Sequence, residues 1–444
     1  MKILIAGSGD TGTHLAKMLS YESQDVVLLS DDKAHLENLD SRYNLMVSIG
    51  SPLNVGDLRT AGVADADLFI AVTPQETDNI VACEMAHSLG AARCVARIGN
   101  PEFMRGEMVR MFADAGVDSL ILPEQLACRE ICDLIRRSWA VNWFRLYHGR
   151  LILAGIRITD ATPVRDTPLK NVHLDGRRLH VAAIRRNGRL IIPRGDDSLL
   201  KGDLAYITIR PEDEGYLQEA MGAGKVKISS VMVSGGGKIS RLLCKALERK
   251  CHVTVIEKDR DRCRQLAEEF PDVTVVNTDC RDFTTLRDEG VENTDLFIAL
   301  SDSDEANIVA CMVARKAGVK RTVAEIEDVR YIADAEQLWI DKVVNKKLLT
   351  SGHVLRDILG NDVRVSEIMT LEDLEIAEIE AGEGSNITAR PVKDLRLPDT
   401  LTLGGLIRHG EGMLIAGDTR IEPGDMVMVV FQPGNLHKVR RLFR

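Results

Sequence analysis

The 444-residue sequence is poor in aromatic side chains and has no long apolar run. Only 4% of its residues are Phe, Trp or Tyr, so a surface that stacks the bases of single-stranded nucleic acid is not expected. The net charge of −10 at pH 7 argues against binding to a phosphate backbone. No apolar run approaches the roughly 20 residues that cross a bilayer. We therefore expect no nucleic-acid partner, and membrane contact only through another protein.

The sequence also lacks a secretion signal and a metal-binding pattern. Its first residues form a strand pattern, without the basic and apolar segments of a signal peptide. The nine cysteines are scattered, with no CxxC pair and no Cys/His spacing typical of zinc. Cys128 and Cys132 lie four residues apart on an expected helix, and this spacing favours a role in the core. We therefore expect a reduced, cytoplasmic protein without a metal site.

A tandem duplication organises the chain. The string DLFIA begins at residue 67 and again at residue 295, and NIVAC begins at residue 79 and again at residue 307. In both cases the second copy begins 228 residues after the first (67 to 295, 79 to 307). Two unrelated strings with one offset indicate that the whole first half is repeated in the second.

Each copy combines two kinds of pattern. Short apolar strands alternate with helical segments at first, which predicts a parallel, doubly wound sheet. Paired short strands follow, with hairpin turns expected at Asn187-Gly188 and at Gly410–Gly412. The fold class is therefore α/β, with two tandem Rossmann-like domains, each followed by a small β-rich α+β domain. The expected domains are residues 1–128, 141–222, 227–350 and 365–444, with linkers near 128–141, 211–226 and 350–370.

Both Rossmann-like domains open with a glycine-rich turn between a strand and a helix. In dinucleotide folds the first glycine permits the tight turn, the second lets the backbone approach a pyrophosphate, and the third allows close helix packing. The free N–H groups of the helix N-terminus then bind phosphate. The second copy has Ser240 in place of the third glycine. The residues expected to bind phosphates are Gly7, Ser8, Gly9, Asp10, Thr11 and Gly12 in the first copy, and Gly235, Gly236, Gly237, Lys238 and Ile239 in the second.

The end of the second strand normally carries an acid that binds a ribose hydroxyl. Glu257 meets this requirement in the second copy, whereas the first copy has Ser30, followed by Asp31 and Asp32. A neutral serine binds a hydroxyl more weakly than a charged carboxylate does. The two aspartates are explained equally well as caps of the next helix.

Polar residues also follow the later strands of both sheets. The further candidates for ligand binding are Ser51, Thr73, Pro74, Asn79 and Arg97 in the first copy, and Asp279, Ser301 and Asn307 in the second. Asn79 and Asn307 are explained equally well as caps or first-turn residues of helices. Arg97 could contact a phosphate, but its counterpart is Glu325. Because this exchange reverses the attraction for phosphate, we expect the two sites to differ in ligand or in affinity.

These features together resemble the TrkA family. The resemblance rests on the glycine turn, on DLFIAVTPQETDNIVAC (67–83), on CVARI (94–98) and on IIPRGDDSLLKGD (191–203). It covers essentially the whole chain, including the duplication. Members of this family are peripheral, nucleotide-binding regulatory subunits of Trk-type bacterial potassium uptake systems, built from RCK (also called KTN) domains and TrkA-C domains.

The resemblance implies partners, ligands and a location. It implies a ring, expected to be a homotetramer, on the cytoplasmic face of the membrane, bound to a TrkH-like potassium-translocating subunit. NAD(H) and/or ATP and ADP would bind at the strand ends of the Rossmann-like domains. The chain departs from the family at Ser30, where an acid is usual, and at Gly50-Ser51, where Gly-Asp is usual. Both departures fall on the sugar and adenine side of the first site.

Three functions are open at this point. A nucleotide sensor explains two sites with different linings. A structural ring subunit with vestigial sites would explain the altered positions, which are Ser30, Ser240 and Glu325. An NAD-dependent oxidoreductase would need a positioned acid or base beside the cofactor.

The histidines give the enzyme hypothesis little support. His148, His173 and His180 fall in the β-rich segment among charged neighbours, and we expect them at the surface. We therefore expect a sensor without catalytic residues rather than an enzyme.

Overall fold

The computed structural model divides the chain into two units. It covers the chain except residues 22–23, 41–44, 175–176, 223–226, 282, 333–334, 336–337, 339, 360–364, 372–373, 433 and 444. The first unit is Met1–Cys128 with Asn345–Val354, and the second is Arg129–Val344 with Leu355–Arg444. Within the described parts, no helix has the length and apolar character needed to span a membrane.

The first unit contains a six-stranded parallel sheet. Its strands are β1 (Lys2–Ala6), β2 (Asp25–Ser30), β3 (Met46–Ile49), β4 (Leu68–Ala71), β5 (Cys94–Arg97) and β6 (Ser119–Ile121). The helices are α1 (Asp10–Tyr21), α2 (Lys33–Asp40), α3 (Val55–Thr60), α4 (Glu76–Ser88), α5 (Gly106–Asp114) and α6 (Pro123–Arg136), of which α6 continues beyond Cys128 into the second unit. The strand order β3-β2-β1-β4-β5-β6 is that of a Rossmann fold. The central strands β1 and β4 are almost entirely apolar because helices cover both faces of such a sheet.

The first β-rich domain is an antiparallel sheet. Its strands are β7 (Asn142–Leu146), β8 (Leu151–Arg157), β9 (His173–Leu174), β10 (Arg177–Arg178), β11 (His180–Arg186), β12 (Arg189–Ile191) and β13 (Leu204–Ile209), followed by helix α7 (Glu214–Ala220). Five of them pair in the order β12-β11-β13-β8-β7, and β9 pairs with β10.

The second half repeats both architectures. Its parallel sheet contains β14 (Ser230–Ser234), β15 (His252–Glu257), β16 (Thr274–Asn277), β17 (Leu296–Ala299), β18 (Arg321–Glu325) and β19 (Lys342–Val344), in the order β16-β15-β14-β17-β18-β19. Its helices are α8 (Lys238–Leu247), α9 (Arg260–Glu269), α10 (Phe283–Asp288), α11 (Asp304–Lys316) and α12 (Lys346–Leu359). The antiparallel sheet contains β20 (Val365–Leu371), β21 (Leu374–Glu380), β22 (Leu401–Arg408), β23 (Glu411–Leu414) and β24 (Met426–Phe431), in the order β20-β21-β24-β22-β23, and α13 (Leu436–Leu442) follows. The predicted fold class is confirmed.

One of the two predicted hairpin turns is displaced. Asn187-Gly188 closes the β11–β12 hairpin, and both residues have positive φ angles, of 52° and 72°. The second turn is His409-Gly410, with φ angles of 49° and 81°, and not Gly410–Gly412. A two-residue hairpin turn of this type requires two consecutive left-handed residues. The histidine adopts the first of these conformations, so the turn lies one residue earlier than the glycines indicate.

The predicted linkers are largely helical. Helix α6 occupies 128–136 of the expected 128–141 linker, and α12 occupies 350–359 of the expected 350–370 linker. Residues 360–364 and 223–226 lie outside the described residues. In α6 the buried residues Ala127, Ile131 and Leu134 recur at helical spacing. The helix expected from the spacing of Cys128 and Cys132 is therefore present, and it runs through most of the predicted linker.

The two β-rich domains of the second unit pack against each other. One buried cluster takes Leu151, Leu153 and Tyr206 from the first domain and Ile376 and Val430 from the second. Because apolar side chains from both sheets close this cluster, the two domains share part of their core.

His180 lies in this β-rich part and is half-buried. Burial lowers the pKa of its imidazole to about 4, although a hydrogen bond with the backbone of Ile415 opposes the shift. Within the described part of the chain, the enclosed Nε2 atom has no hydrogen-bond partner. His180 is therefore not the solvated surface residue that the sequence predicts. The side chains of His148 and His173 lie outside the described residues.

The state of His180 predicts a loss of stability in acid. Unfolding restores the ordinary imidazole pKa of about 6.5, so the unfolded chain binds a proton that the folded chain excludes. We expect the free energy of unfolding to fall by about 2 kcal/mol as pH drops from 6.5 towards 4. His180→Gln should remove this part of the pH dependence, measured by urea titration of tryptophan fluorescence. Replacing the exposed His437 by Gln should leave it in place, and an unchanged pH profile in His180→Gln would contradict the assignment.

Candidate functional site

The first glycine turn lies where the strand order of the first sheet reverses. Strand β1 has β2 on one side and β4 on the other, and ligands of such sheets bind outside the carboxyl ends of the strands at this point. Gly7 N–H donates to the Leu29 carbonyl over 2.9 Å, and Val72 N–H donates to the Ala6 carbonyl over 2.9 Å. These bonds place the ends of β2 and β4 on either side of the turn.

The three glycines of the first turn meet different requirements. Gly7 has a φ angle of +110°, and a Cβ atom there would lie 3.0 Å from the Thr73 nitrogen. A Cβ atom on Gly12 would lie 1.9 Å from the Gly7 oxygen, so the helix could not pack this closely. A Cβ atom on Gly9 would meet no atom within 4 Å. Gly7 and Gly12 are thus required by the fold, whereas Gly9 borders open space suitable for a phosphate.

Ser30 is connected to the glycine turn. The buried Ser8 hydroxyl donates to Ser30 Oγ over 2.8 Å, and Asp32 N–H donates to the same atom over 3.2 Å. A hydroxyl accepts two hydrogen bonds and donates one, so Ser30 retains one proton for a ligand oxygen. Asp32 Oδ1 accepts from His35 N–H at the start of α2, as a helix cap does. Asp31 is exposed.

Asn79 connects the ends of β4 and β5. Its Oδ1 accepts from both the N–H and the hydroxyl of Thr73, over 2.8 and 2.7 Å. Its Nδ2 donates to the carbonyls of Thr73 and Arg97, over 3.0 and 2.8 Å. The side chain is 1% exposed, so it fixes the loops that surround the ligand space. Pro74, in the first of these loops, is exposed.

Arg97, at the end of β5, offers hydrogen-bond donors at this edge of the sheet. Its Nη1 makes a long contact of 3.4 Å with the Thr73 carbonyl. Its Nε is buried and has no hydrogen-bond partner among the residues that the structure describes. An anionic ligand would satisfy such a donor.

Ser51, after β3, donates its N–H to Asp57 Oδ2 over 2.8 Å.

The second glycine turn has a similar backbone with different side chains. Gly235 has a φ angle of +99°, and a Cβ atom on Gly237 would meet no atom within 4 Å. The Ser240 hydroxyl, at the position of the third glycine, donates a hydrogen bond across the turn to the Gly235 carbonyl. Lys238 is exposed, whereas Ile239 is buried and can offer a ligand only its backbone N–H.

Glu257 is bonded to the backbone of the second turn. Its Oε2 accepts from Gly236 N–H over 2.7 Å, and its Oε1 accepts from Asp259 N–H over 2.8 Å. Each carboxylate oxygen can accept a further bond. The side chain is 4% exposed. It therefore presents an oriented carboxylate beside the turn, 3.8 Å from the Arg262 guanidinium, where Ser30 presents a neutral hydroxyl in the first copy.

The later strand ends of the second copy form the same hydrogen bonds as those of the first, but carry different charged residues. Ser301 and Asn307 form the same bonds as Thr73 and Asn79, and Asn307 Nδ2 donates to the Glu325 carbonyl over 2.9 Å. The Arg281 guanidinium, 2.6 Å from Asp279, lowers the pKa of that carboxyl to about 2.

Two carboxylates that the sequence patterns did not single out also shape these sites. Glu76 accepts the N–H groups of Gly99 and Asn100, both over 2.7 Å. Asp304, 228 residues later, accepts those of Glu327 and Asp328, both over 2.8 Å. The shared offset was the signal that could have identified the pair. Among the described residues, no group of three His, Cys, Asp or Glu side chains could bind a metal ion.

Family models match most of the chain. The TrkA-N domain model matches residues 3–123 and 231–346, and the TrkA-C domain model matches residues 153–222 and 376–444. The chain is 31% identical to the Trk system potassium uptake protein TrkA of Haemophilus influenzae over 456 aligned positions. That alignment covers 100% of this chain and 99% of the relative.

Solved structures share the fold. The RCK domain of GsuK superimposes with a TM-score of 0.62 at 16% identity, covering 100% of this chain and 94% of that one. The GsuK channel bound to NAD superimposes with the same TM-score and identity, covering 100% of this chain and 78% of that one. At this identity the likeness concerns the architecture.

Proposed function

Because the chain belongs to the TrkA family of Trk system potassium uptake proteins, we propose that it senses nucleotides and regulates a potassium-translocating membrane partner. The observation that carries this proposal is the pair of glycine turns at the strand ends, each with open space beside its middle glycine, Gly9 or Gly237. A backbone that a phosphate can approach, next to a helix N-terminus, is what a nucleotide requires.

The first site is suited to phosphate-rich adenine nucleotides such as ADP and ATP. The backbone N–H groups of the turn from Gly7 to Gly12 would bind the phosphates, and Arg97 would contribute positive charge at the end of β5. Ser30 would donate one hydrogen bond to the sugar. The remaining candidates of this site would surround the ligand from the neighbouring strand ends: Asp31, Ser51, Thr73, Pro74 and Asn79.

The second site is suited to NAD(H). Glu257 would accept the ribose hydroxyls through charge-assisted bonds, which are roughly twice as strong as neutral ones. The turn residues from Gly235 to Ile239 would bind the pyrophosphate. Glu325, where the first site has Arg97, disfavours an additional phosphate and tolerates the cationic ring of oxidised NAD. The later strand ends of this site would be lined by Asp279, Ser301 and Asn307.

Two sites with different linings provide the means of regulation. A ligand shifts a conformational equilibrium only by its different affinities for the two states. Occupancy by one or the other nucleotide would therefore change the geometry of a ring of chains, expected to be a tetramer. The ring would sit on the cytoplasmic face of the membrane and pass this change to a TrkH-like partner. No catalytic residue is needed for this role.

Calorimetric titration with ADP, ATP, NAD and NADH tests the proposal. Gly9→Ala and Gly237→Ala are the matched variants, since a Cβ atom there meets no protein atom within 4 Å and both should fold normally. We expect Gly9→Ala to weaken ADP and ATP binding and Gly237→Ala to weaken NAD and NADH binding. If the wild-type chain binds none of the four ligands, the sensor proposal is wrong and a structural ring subunit with vestigial sites takes its place.

A further inference from the structure

The first glycine turn has an acid where the second has a lysine. Asp10 follows Gly9, and its counterpart 228 residues later is Lys238. A carboxylate at the start of α1 repels the phosphates of a ligand, whereas an ammonium attracts them. A cation beside Asp10, in addition to Arg97 at the end of β5, would offset this repulsion.

Helix α12 supplies this cation. Its N-terminal part, within Asn345–Val354, belongs to the first unit although it follows the second Rossmann sheet along the chain. Lys347 Nζ lies 2.6 Å from Asp10 Oδ2. The Asn345 side chain accepts from Leu348 N–H and fixes the start of the helix. The ammonium is thus held beside the residue that follows Gly9, at the edge of the open space.

The two partners of this ion pair differ in exposure. The Lys347 side chain is 17% exposed, whereas that of Asp10 is 78% exposed. Packing therefore restrains the lysine, and the carboxylate can turn into solvent. An ammonium has three donors, so a ligand phosphate can replace Asp10 as an acceptor without movement of the lysine stem.

We propose that Lys347 is a phosphate-binding residue of the first nucleotide site, contributed by the second half of the chain and held by Asp10 until a nucleotide binds. This inference rests on the proposed function and adds a means of regulation to it. Helix α12 leads from the second Rossmann sheet to the second β-rich domain. When a ligand phosphate replaces Asp10 as the partner of Lys347, occupancy of the first site changes a contact of the helix that connects those two domains.

The effects of the two single variants on ADP affinity test this proposal. Lys347→Ala should weaken ADP binding about tenfold, because it removes a charged donor to phosphate. Asp10→Ala should strengthen ADP binding about threefold, because it removes a repelling charge and releases the lysine. Adenosine, which has no phosphate, should bind the wild type and both variants equally. Lys347→Arg should retain most of the ADP affinity, since it keeps the positive charge.

Each result of the calorimetry either supports or overturns the proposal. Opposite changes from the two ends of one ion pair support a phosphate-binding Lys347. A merely structural ion pair is broken equally by either variant, so changes of the same sign, or equal changes for ADP and adenosine, overturn the proposal. Because Asp10 is exposed, Asp10→Ala stays informative even if Lys347→Ala does not fold. If wild-type ADP binding is absent altogether, the proposed function itself has failed, whereas intact binding with unaltered variants refutes only the role of Lys347.

Discussion

Replacing Arg97 by Glu should weaken ADP binding to the first site about a hundredfold. A hydrogen bond to a charged group is worth about 1.5–3 kcal/mol, and each 1.4 kcal/mol is a factor of about ten in affinity. The substitution removes such a bond and adds a like charge. The buried Nε of Arg97 has no other partner among the described residues, so a bound phosphate would be its first acceptor. Isothermal calorimetry with ADP measures the effect directly.

The controls for this experiment lie in the same chain. Arg110→Glu makes the same change of charge on the exposed face of α5 and should alter the affinity less than about twofold, because exposed charges at a distance are screened. Glu325→Arg makes the reverse change in the second copy and should increase ADP binding there. Equal affinities in wild type and Arg97→Glu would show that Arg97 does not contact the ligand.

Replacing Arg408 by Ala should destabilise the second unit by about 3–5 kcal/mol, the cost of leaving a buried charge without its partner. Arg408 donates from Nε and Nη2 to the two oxygens of Asp425, over 2.9 and 2.6 Å. The Asp425 side chain is 3% exposed. Its Oδ2 also accepts from Glu422 N–H over 2.8 Å, but one amide does not neutralise a carboxylate. Urea unfolding followed by circular dichroism gives the loss in free energy.

A surface ion pair and a double variant complete this test. Arg194 and Asp399 are 3.1 Å apart, but their side chains are 48% and 101% exposed, so Arg194→Ala should cost less than about 0.5 kcal/mol. Adding Asp425→Asn to Arg408→Ala removes the unpaired charge and should recover part of the loss. If Arg408→Ala costs no more than Arg194→Ala, the buried pair does not stabilise the domain.

Much of the fold could be predicted because the sequence contains it twice. Few folds begin with a strand, a glycine turn and a helix. A second copy of this pattern at a fixed offset excludes most of the remaining folds. The second copy does not reveal, however, whether a changed residue still supports the turn. Ser240 stands where Gly12 allows close packing, and only the structure shows that its hydroxyl bonds to the Gly235 carbonyl. The identity of one residue does not show whether the turn is disrupted or is held by a new hydrogen bond.

The parts of the site that escaped prediction depend on contacts between distant segments. The sequence explains Asn79 equally well as a helix cap or a ligand residue, and its bonds to Thr73 and Arg97 depend on how two strand ends meet. Lys347 is separated from Asp10 by 337 residues. It lies just before a segment that the sequence predicts to be a linker. No local periodicity indicates that the start of α12 packs with the first unit.

Potassium flux through a Trk-type membrane subunit would show whether the chain acts as a sensor. The subunit would be reconstituted in liposomes with the wild-type chain, Gly9→Ala or Gly237→Ala, and flux would be recorded with and without ADP, ATP, NAD and NADH. We expect nucleotides to change the flux in the presence of the wild-type chain, and each variant to abolish the response to its own class of ligand. A chain that binds the membrane subunit but gives the same flux with and without every nucleotide would be a scaffold, and the sensor proposal would be wrong.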